Sequence, residues 1–283
     1  MTIVDTHLHL VDQERLRYPW LDDVPLLNRS FSLEEYLGEA RPAGIGAMLH
    51  MEVDVAEADM EAETALVTAM GGPVIGAIAA CRPESPDFGA FLDRHVENPR
   101  VRGFRRVLHT GAHEAAATDR FLRNISLLAR SGHPFDFCVW PQHIPLARSI
   151  ARACPDVQFV LDHCGMPDIR AGAYHPWDRD IAELAQLPNV ACKISGVVAY
   201  ANPQGWTVDD LRPYVEHAIG CFGWDRVVWG SDWPVCNKTA SLSRWVEATH
   251  DMLSGASDDE KAGLLSNNAR RIYRLDETAS PAS

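Results

Sequence analysis

The stretch Val4-Asp5-Thr6-His7-Leu8-His9-Leu10, close to the N-terminus, carries two histidines in the pattern of a β-strand. Residues two apart on a strand project to the same face, so His7 and His9 are expected side by side, with Thr6 and Leu8 on the opposite face. Two imidazoles directed at one point can bind a metal ion or donate hydrogen bonds to one oxygen atom. A polar strand end without a chemical role is the alternative interpretation of this pair.

The composition limits the classes of function. The chain has 283 residues, 46% of them hydrophobic, and a formal net charge of -13, so no basic excess is available to neutralise nucleic-acid phosphates. The seven cysteines are scattered and include no C-x-x-C pair, which favours reduced thiols in a cytoplasmic protein. No apolar run approaches membrane-spanning length, and no signal peptide is expected, because charged and imidazole side chains interrupt the first apolar stretch. A homo-oligomer is compatible with the sequence.

Short apolar runs alternate with amphipathic segments along the whole chain. The predicted strands are Ile3–Leu8, Ile45–Met51, Val74–Ala80, Val101–Val107, Phe135–Trp140, Gln158–Asp162, Val190–Ser195 and Val227–Gly230. Several runs are continuously apolar, as parallel strands buried on both faces are. Strand–helix units of this number and total length predict an α/β fold, a single-domain (β/α)8 TIM-type barrel over residues 1–276. Residues 277–283 are expected to form a C-terminal tail.

An open, doubly wound sheet is the main alternative to the barrel. It is disfavoured because no G-x-G-x-x-G follows the first strand, and Gly44-Ile45-Gly46 lacks the third glycine. In a closed barrel the first and last strands are neighbours, and the chemistry lies at the C-terminal ends of the strands. Asp232, in Trp229-Gly230-Ser231-Asp232-Trp233-Pro234 after the eighth strand, is then expected beside His7 and His9.

The sixth strand adds a third histidine at the same end of the barrel. His163 lies in Leu161-Asp162-His163-Cys164-Gly165, where the strand ends. Because neighbouring residues on a strand alternate, Asp162 is expected to point away from His163.

The fourth strand brings an arginine towards the barrel interior. Arg102 and Arg106 alternate with Arg105 along this strand, so at least one arginine faces inward. An inward arginine requires an anion or a polar ligand. We expect Arg105 in this position, because it lies near the mouth of the barrel, and Arg102 is the alternative.

Three long connections, 11–31, 108–118 and 196–208, follow strands and are expected to cover the mouth of the barrel. Aromatic and imidazole side chains on these connections, or at the end of the fifth strand, are the candidate substrate contacts: Trp20, His109, Trp140, Tyr200 and Trp206. Anchoring the loops is the alternative role of each. Glu52, after the second strand, is a minor candidate for the same region.

Four motifs resemble the signatures of the amidohydrolase superfamily, and more narrowly its branch of L-fuconolactonase-like sugar-lactone hydrolases. They are Asp5-Thr6-His7-Leu8-His9, Leu161-Asp162-His163-Cys164-Gly165-Met166-Pro167, Cys192-Lys193-Ile194-Ser195-Gly196 and Trp229-Gly230-Ser231-Asp232-Trp233-Pro234. The motifs stand in the family order and cover nearly the whole chain. The resemblance implies a (β/α)8 barrel and places His7, His9, His163 and Asp232 on site positions.

The resemblance also bears on metal content. Other superfamily members add a lysine or carboxylated lysine at strand four and a histidine at strand five, which build a second metal site. This sequence has arginines at strand four and ends strand five at Trp140, so we expect no binuclear centre. A single Zn²⁺ on His7, His9 and Asp232 with a water molecule suits a catalytic zinc site. Some lactonases of the similar branch work without metal, so the requirement is open, and no organic cofactor is expected.

These residues predict hydrolysis of a small sugar lactone, such as L-fuconolactone, to its acid. Asp232 is the predicted general base, while His163, with His7 and His9 directly or through a metal ion, is expected to polarise the carbonyl. Arg105 is expected to bind ring hydroxyls or the nascent carboxylate. The alternatives are a zinc-dependent decarboxylase or amidohydrolase of the same superfamily, and a non-catalytic sugar- or metal-binding barrel.

Overall fold

Eight parallel strands form one sheet in sequence order in the computed structural model, which describes residues 2–276. The strands are β1 Ile3–Leu8, β2 Ile45–Met51, β3 Val74–Ala80, β4 Val101–Val107, β5 Phe135–Cys138, β6 Phe159–Leu161, β7 Val190–Ile194 and β8 Val227–Trp229. The first four predicted strands are confirmed to the residue, and the last four end one or two residues earlier than predicted. The predicted tail, 277–283, lies outside the described residues.

Helices α1 to α8 lie between successive strands, and α9 to α11 follow β8. They are α1 Leu33–Ala40, α2 Met60–Thr68, α3 Phe88–Val96, α4 His113–Ala116, α5 Asp119–Ser126, α6 Ile144–Ala153, α7 Trp177–Ala185, α8 Val208–Phe222, α9 Leu242–Met252, α10 Asp258–Ala262 and α11 Asn268–Ile272. A π-helical turn, Gly263–Asn267, joins α10 to α11. None of the helices in the described part of the chain has the length and apolar character needed to span a bilayer.

Hydrogen bonds between the end of β1 and the segment that follows β8 close the sheet into a barrel. The Asp232 amide donates to the His7 carbonyl at 2.8 Å, and the His9 amide donates to the Trp233 carbonyl at 2.8 Å. The prediction of a barrel rather than an open sheet is therefore confirmed. Closure brings the two ends of the chain to the same part of the mouth.

Asp5 joins β1 to the residues that follow β8. Its Oδ1 accepts hydrogen bonds from the amides of His7 at 2.9 Å and Ser231 at 2.8 Å, and its Oδ2 accepts one from the Tyr36 hydroxyl at 2.6 Å. The side chain is fully buried. Three donors replace the water that this carboxylate loses on folding, so it can hold the two chain ends together.

The C-terminal part of the described chain packs at the N-terminal ends of the strands, opposite the mouth. Asn268, the first residue of α11, donates from Nδ2 to the carbonyls of Trp224 and Val227, where β8 begins. Ile272 and Tyr273 belong to the apolar cluster inside the barrel, which also contains residues of β1, β2, β3, β6, β7 and β8. One end of the barrel is therefore closed by apolar packing, and polar groups concentrate at the other.

Candidate active site

The two histidines of β1 lie side by side at the mouth together with Asp232. Their Nε2 atoms are 3.2 Å apart, and Asp232 Oδ1 lies 3.7 Å from His7 Nε2 and 3.4 Å from His9 Nε2. All three side chains are buried. The His9 Nδ1–H donates to the Met51 carbonyl at 3.0 Å, because a carbonyl only accepts, and this leaves the lone pair of His9 Nε2 directed at the cluster.

These three atoms are spaced like the ligands of one metal ion. Zinc bonds of the usual length at tetrahedral angles place ligand atoms about 3.3 Å apart. The distances among His7, His9 and Asp232 run from 3.2 to 3.7 Å. The donor set therefore fits a single ion with a fourth position for water. Arg105 Nη1 lies 3.3 Å from His7 Nε2 and places a competing positive charge beside this set.

A second group of potential ligands, formed by His7, Asp162 and His163, already faces a cation. Lys193 Nζ lies 2.9 Å from Asp162 Oδ1 and 3.4 Å from His7 Nδ1, and it donates to Asp136 Oδ2 at 2.5 Å. Lys193 is fully buried. Its ammonium supplies the charge that a second ion would bring, so this group does not fit a metal ion.

The buried lysine and its two carboxylates form a charged cluster inside the barrel. Burial lowers the pKa of Lys193, but Asp136 and Asp162 together raise it above its ordinary value. Burial likewise raises the pKa of Asp162, and the opposing effects of Lys193 and His7 hold it well below the usual range. The Tyr273 hydroxyl donates to Asp136 Oδ2 at 2.7 Å. Lys193 and Asp162 are therefore both ionised at neutral pH.

Both imidazoles on β1 are neutral, and two tautomers satisfy the contacts of His7. Burial lowers the pKa of His9 to about 3 and that of His7 well below its ordinary value. With its proton on Nε2, His7 accepts from Lys193 Nζ at Nδ1, 3.4 Å away, and directs its Nε2–H at His9 Nε2 and into the mouth. With its proton on Nδ1, His7 faces Asp162 Oδ1 at 3.5 Å, and the lone pair of Nε2 is available to Arg105 Nη1 or to a metal ion.

The structure places Arg105 inside the barrel and Arg102 on the outside. Arg105 is 4% exposed, and it donates from Nε to Glu52 Oε1 at 2.6 Å and from Nη2 to the Glu52 carbonyl at 2.5 Å. Arg102 instead donates from Nη1 to the Arg274 carbonyl at 2.8 Å. Glu52 thus reaches the mouth as the partner of the arginine, and Nη1 of Arg105 is left directed at the imidazoles.

His163 enters the site from a turn rather than from a strand. β6 ends at Leu161, and Asp162–Gly165 form a tight turn in which His163 has a φ of +57°. The prediction that Asp162 points away from the site is wrong, because this left-handed residue breaks the alternation of the strand. Both side chains enter the barrel, and the His163 and His7 ring centres lie 4.4 Å apart.

The two residues after β7 hold the His163 ring in place. Ser195 Oγ lies 2.9 Å from His163 Nδ1. Gly196 follows with a φ of +64°, and a Cβ at this position would overlap His163 Nδ1. Only glycine combines this backbone conformation with the close approach of the imidazole.

Asp232 has the environment of a general base. The side chain is 2% exposed, and burial raises its pKa to about 6, against the opposing effects of His163 and Arg105. A base works best with a pKa near the operating pH, where it is ionised and still accepts a proton readily. Its Oδ1 faces the same point as the imidazoles of His7 and His9.

A cavity of about 490 Å³ opens at the mouth beside these residues. Trp140 and Tyr200, both predicted substrate contacts, line it, and their ring centres lie 6.0 Å apart. The Tyr200 ring centre is 6.5 Å from that of His163. The cavity therefore adjoins the imidazole cluster.

The other predicted substrate contacts occupy different positions. Trp20 donates its indole N–H to the Val53 carbonyl at 2.8 Å, and Trp206 donates to the Thr239 carbonyl at 3.1 Å. Neither residue is among those that line this cavity, and each indole is bonded to a loop carbonyl, so their contact with substrate stays a prediction. His109 lies behind Trp140, with ring centres 5.1 Å apart.

His109 predicts a pH dependence of stability. Burial, together with the smaller effect of the Arg105 charge, lowers its pKa to about 4. Below about pH 6.5 the unfolded chain binds a proton that the native protein does not, so stability falls as the pH falls towards 4. We expect His109→Gln to reduce the loss of unfolding free energy between about pH 7.5 and 4.5 by roughly 2 kcal/mol, measured by urea denaturation. His250→Gln, an exposed control, should behave like the wild type, and an unchanged pH profile in His109→Gln would contradict the assignment.

Two functional positions inside the barrel are absent from the sequence-based set. Lys193 stands in the otherwise apolar strand β7, and Asp136 stands between Phe135 and Phe137 on β5. Charged side chains are almost never fully buried unless they are paired. A charged residue inside a continuously apolar strand is therefore the sequence signal that indicates such a pair.

Comparisons with known proteins identify the family to which the chain belongs. The amidohydrolase family matches residues 4–275. A relative from Sinorhizobium fredii, "Uncharacterized protein y4mH", is 31% identical, and the match covers 97% of this chain and 99% of that protein. An L-fucono-1,5-lactonase of Burkholderia ambifaria is 33% identical over 68% of each chain. A zinc-bound amidohydrolase structure from Burkholderia multivorans has a TM-score of 0.88 at 24% identity, covering 97% of this chain and 100% of that chain.

The chain belongs to the amidohydrolase family. Within this family it falls in the lactonase-like branch, as its motifs predict. It is a hydrolase that acts on an ester bond, which sets aside the alternative of a non-catalytic binding barrel.

Proposed function

We propose that the protein hydrolyses a small sugar lactone to its hydroxy acid. The observation that carries the proposal is the convergence of His7, His9, His163 and Asp232 beside a cavity large enough for one sugar ring. The similarity to an L-fucono-1,5-lactonase supports a sugar lactone as the substrate class.

In the proposed mechanism, Asp232 removes a proton from a water molecule as that water adds to the lactone carbonyl. The negative charge that develops on the carbonyl oxygen is stabilised by hydrogen bonds from His163 and from the Nε2–H of His7. The ring C–O bond then breaks, and the proton passes from Asp232 to the leaving oxygen. One water is consumed, and the product carries a carboxylic acid and a new hydroxyl group.

Arg105 supplies a fixed positive charge to the same point. Glu52 holds its Nε and Nη2, and Nη1 carries two N–H groups, so Nη1 can reach a substrate oxygen while it also donates to Asp162 Oδ2 at 3.4 Å. We assign it to a ring hydroxyl or to the nascent carboxylate. A donor that is anchored before the substrate arrives needs no reorganisation during the reaction.

His7, His9 and Asp232 would hold a single divalent ion, with the His7 proton on Nδ1, and when bound the ion would polarise the carbonyl and acidify the attacking water. Lys193 and Arg105 support the site when no ion is bound. Donation from Lys193 to His7 Nδ1 favours the tautomer with the proton on Nε2, and the Arg105 guanidinium places a positive charge 3.3 Å from that atom. Both contacts give the metal-free site donors of its own.

A screen with and without metal tests the function and its alternative together. We expect a pH-indicator assay over aldono-1,4- and aldono-1,5-lactones to detect turnover that persists at roughly one tenth or more of its value after chelation, because imidazole and guanidinium donors remain. Readdition of Zn²⁺ and metal analysis of each sample provide the control. Complete loss on chelation with full recovery on Zn²⁺ would show that lactone hydrolysis requires the ion. No turnover of any lactone, with or without Zn²⁺, would favour the zinc-dependent decarboxylase or amidohydrolase.

A further inference from the structure

Two basic side chains line the cavity at the mouth, and the proposed mechanism uses neither. Arg170 and Lys238 are both exposed there, in a cavity that Trp140 and Tyr200 also line. Hydrolysis of a neutral lactone requires no charge at this distance from the carbonyl. The cavity therefore carries a recognition element that remains to be assigned.

The fold places both cations next to Tyr200. Lys238 ends the short turn Val235–Lys238 that follows β8, and its Nζ lies 6.0 Å from the centre of the Tyr200 ring. The Arg170 amide donates to the Tyr200 carbonyl at 3.0 Å. Because Tyr200 also lies near His163, the two cations are tied by one residue to the side of the mouth where the carbonyl would react.

Lys238 lies on the same segment of the chain as Asp232. Both residues follow β8, and the Cys236 amide donates to the Asp232 carbonyl at 2.9 Å within this segment. A ligand with one end at Asp232 and the other at Lys238 would therefore extend into the cavity that Lys238 lines.

The cavity wall carries more positive than negative charge. Asp168 is the carboxylate among its lining residues, and its Oδ1 accepts a hydrogen bond from the Ala171 amide at 3.1 Å. Within residues 2–276, no carboxylate oxygen lies within 4.0 Å of the nitrogens of Arg170 or Lys238. The protein has a net charge of -13, so a cavity wall with a positive excess differs in sign from the molecule as a whole. This local positive charge attracts anions into the cavity.

We propose that the natural lactone carries a carboxylate at the end remote from its carbonyl, and that Lys238 and Arg170 bind this group. The inference rests on the proposed lactone hydrolysis and narrows its substrate class to the lactones of sugar diacids. The sugar ring would lie against Trp140 and Tyr200. A neutral aldonolactone presents a hydroxymethyl group to the same two cations and loses the charge-assisted hydrogen bonds.

Matched pairs of lactones test this proposal. D-Galactaro-1,4-lactone has a carboxylate where D-galactono-1,4-lactone has a hydroxymethyl group. D-Glucaro-1,4-lactone and D-glucono-1,4-lactone form a second pair with the same difference. We expect kcat/KM to be at least about tenfold higher for the acid in one or both pairs, and the preference to shrink as salt rises from about 0.05 to about 0.5 M. Equal values, or a preference for the neutral lactone, would overturn the proposal.

Variants locate the preference on the two cations. We expect Lys238→Met and Arg170→Gln each to lower kcat/KM for the acid lactone at least about fivefold more than for its neutral partner, mainly through KM. Lys261→Met is the matched control, because Lys261 lies in α10 and does not line the cavity. A preference that survives in both variants would show that these residues do not bind the carboxylate.

A binding measurement separates this inference from the proposed function. Calorimetry with D-galactarate and D-galactonate requires no turnover, and we expect galactarate to bind more tightly to the wild type and to lose that advantage in Lys238→Met. Absence of turnover with every lactone, together with this binding pattern, would overturn the proposed hydrolysis and leave the anion site standing. Turnover without any preference for the diacid would overturn the anion site alone.

Discussion

Asp232→Asn is expected to lower kcat/KM for lactone hydrolysis at least about a thousandfold while the protein remains folded. The amide has the shape of the carboxylate but cannot accept a proton from water. Burial already raises the pKa of Asp232, so a neutral side chain should not cost stability at this position. Steady-state kinetics on the best lactone and thermal unfolding monitored by circular dichroism are the measurements.

Asp225→Asn provides the matched control for this variant. Asp225 is an exposed aspartate at the N-terminal end of β8, whereas Asp232 follows the C-terminal end of the same strand. We expect its kinetics and unfolding temperature to equal those of the wild type. Near-normal turnover by Asp232→Asn would remove the assignment of the general base.

Lys193→Met is expected to lower the free energy of unfolding by about 3–5 kcal/mol. The substitution leaves Asp136 and Asp162 buried without the ammonium that both contact. It also removes the donor to His7 Nδ1, so the His7 proton can move to that atom and Nε2 ceases to donate into the mouth. Urea denaturation measures the first effect, and kcat measures the second.

A triple variant in which Lys193 and both carboxylates are neutral separates the effect of Lys193 on stability from its effect on the position of His7. Adding Asp136→Asn and Asp162→Asn to Lys193→Met removes the uncompensated charges, so we expect stability to recover largely while kcat stays at least about tenfold low and KM changes little. Lys261→Met controls for the loss of a lysine at the surface. A Lys193→Met protein as stable and active as the wild type would contradict both roles.

The barrel could be predicted because each strand corresponds to a short apolar run with polar or turn-forming residues on either side. β1 to β4 appear at their predicted limits, and the position of His9 and Asp232 follows once the sheet closes. Asp162 could not be placed in this way, since strand alternation gives the wrong direction after β6 ends. The left-handed φ of His163 reverses this direction. Because the position is not a glycine, the sequence gives no indication of a left-handed residue there.

The cavity wall shows a different limit of sequence reasoning. Trp140, Tyr200 and Trp206 are equally good candidates by residue type and by position after a strand. Only the three-dimensional structure shows that the guanidinium carbon of Arg244 lies 4.0 Å from the Trp206 ring centre. The structure also shows that the Trp206 indole donates to the Thr239 carbonyl. Arg170 and Lys238 are equally unremarkable in the sequence and become informative only when they share one cavity.

The hydrogen bond from the Ser231 amide to Asp5 has a consequence for synthesis of the enzyme on the ribosome. His7 and His9 are translated first, and Asp232 follows some 220 residues later. A nascent chain that ends before Ser231 therefore has the two imidazoles but lacks the proposed general base. The same truncation leaves Asp5 without one of its amide partners, and the first strand without its last neighbour. Catalytic competence therefore requires synthesis of the segment after β8, the same segment that pairs with the first strand.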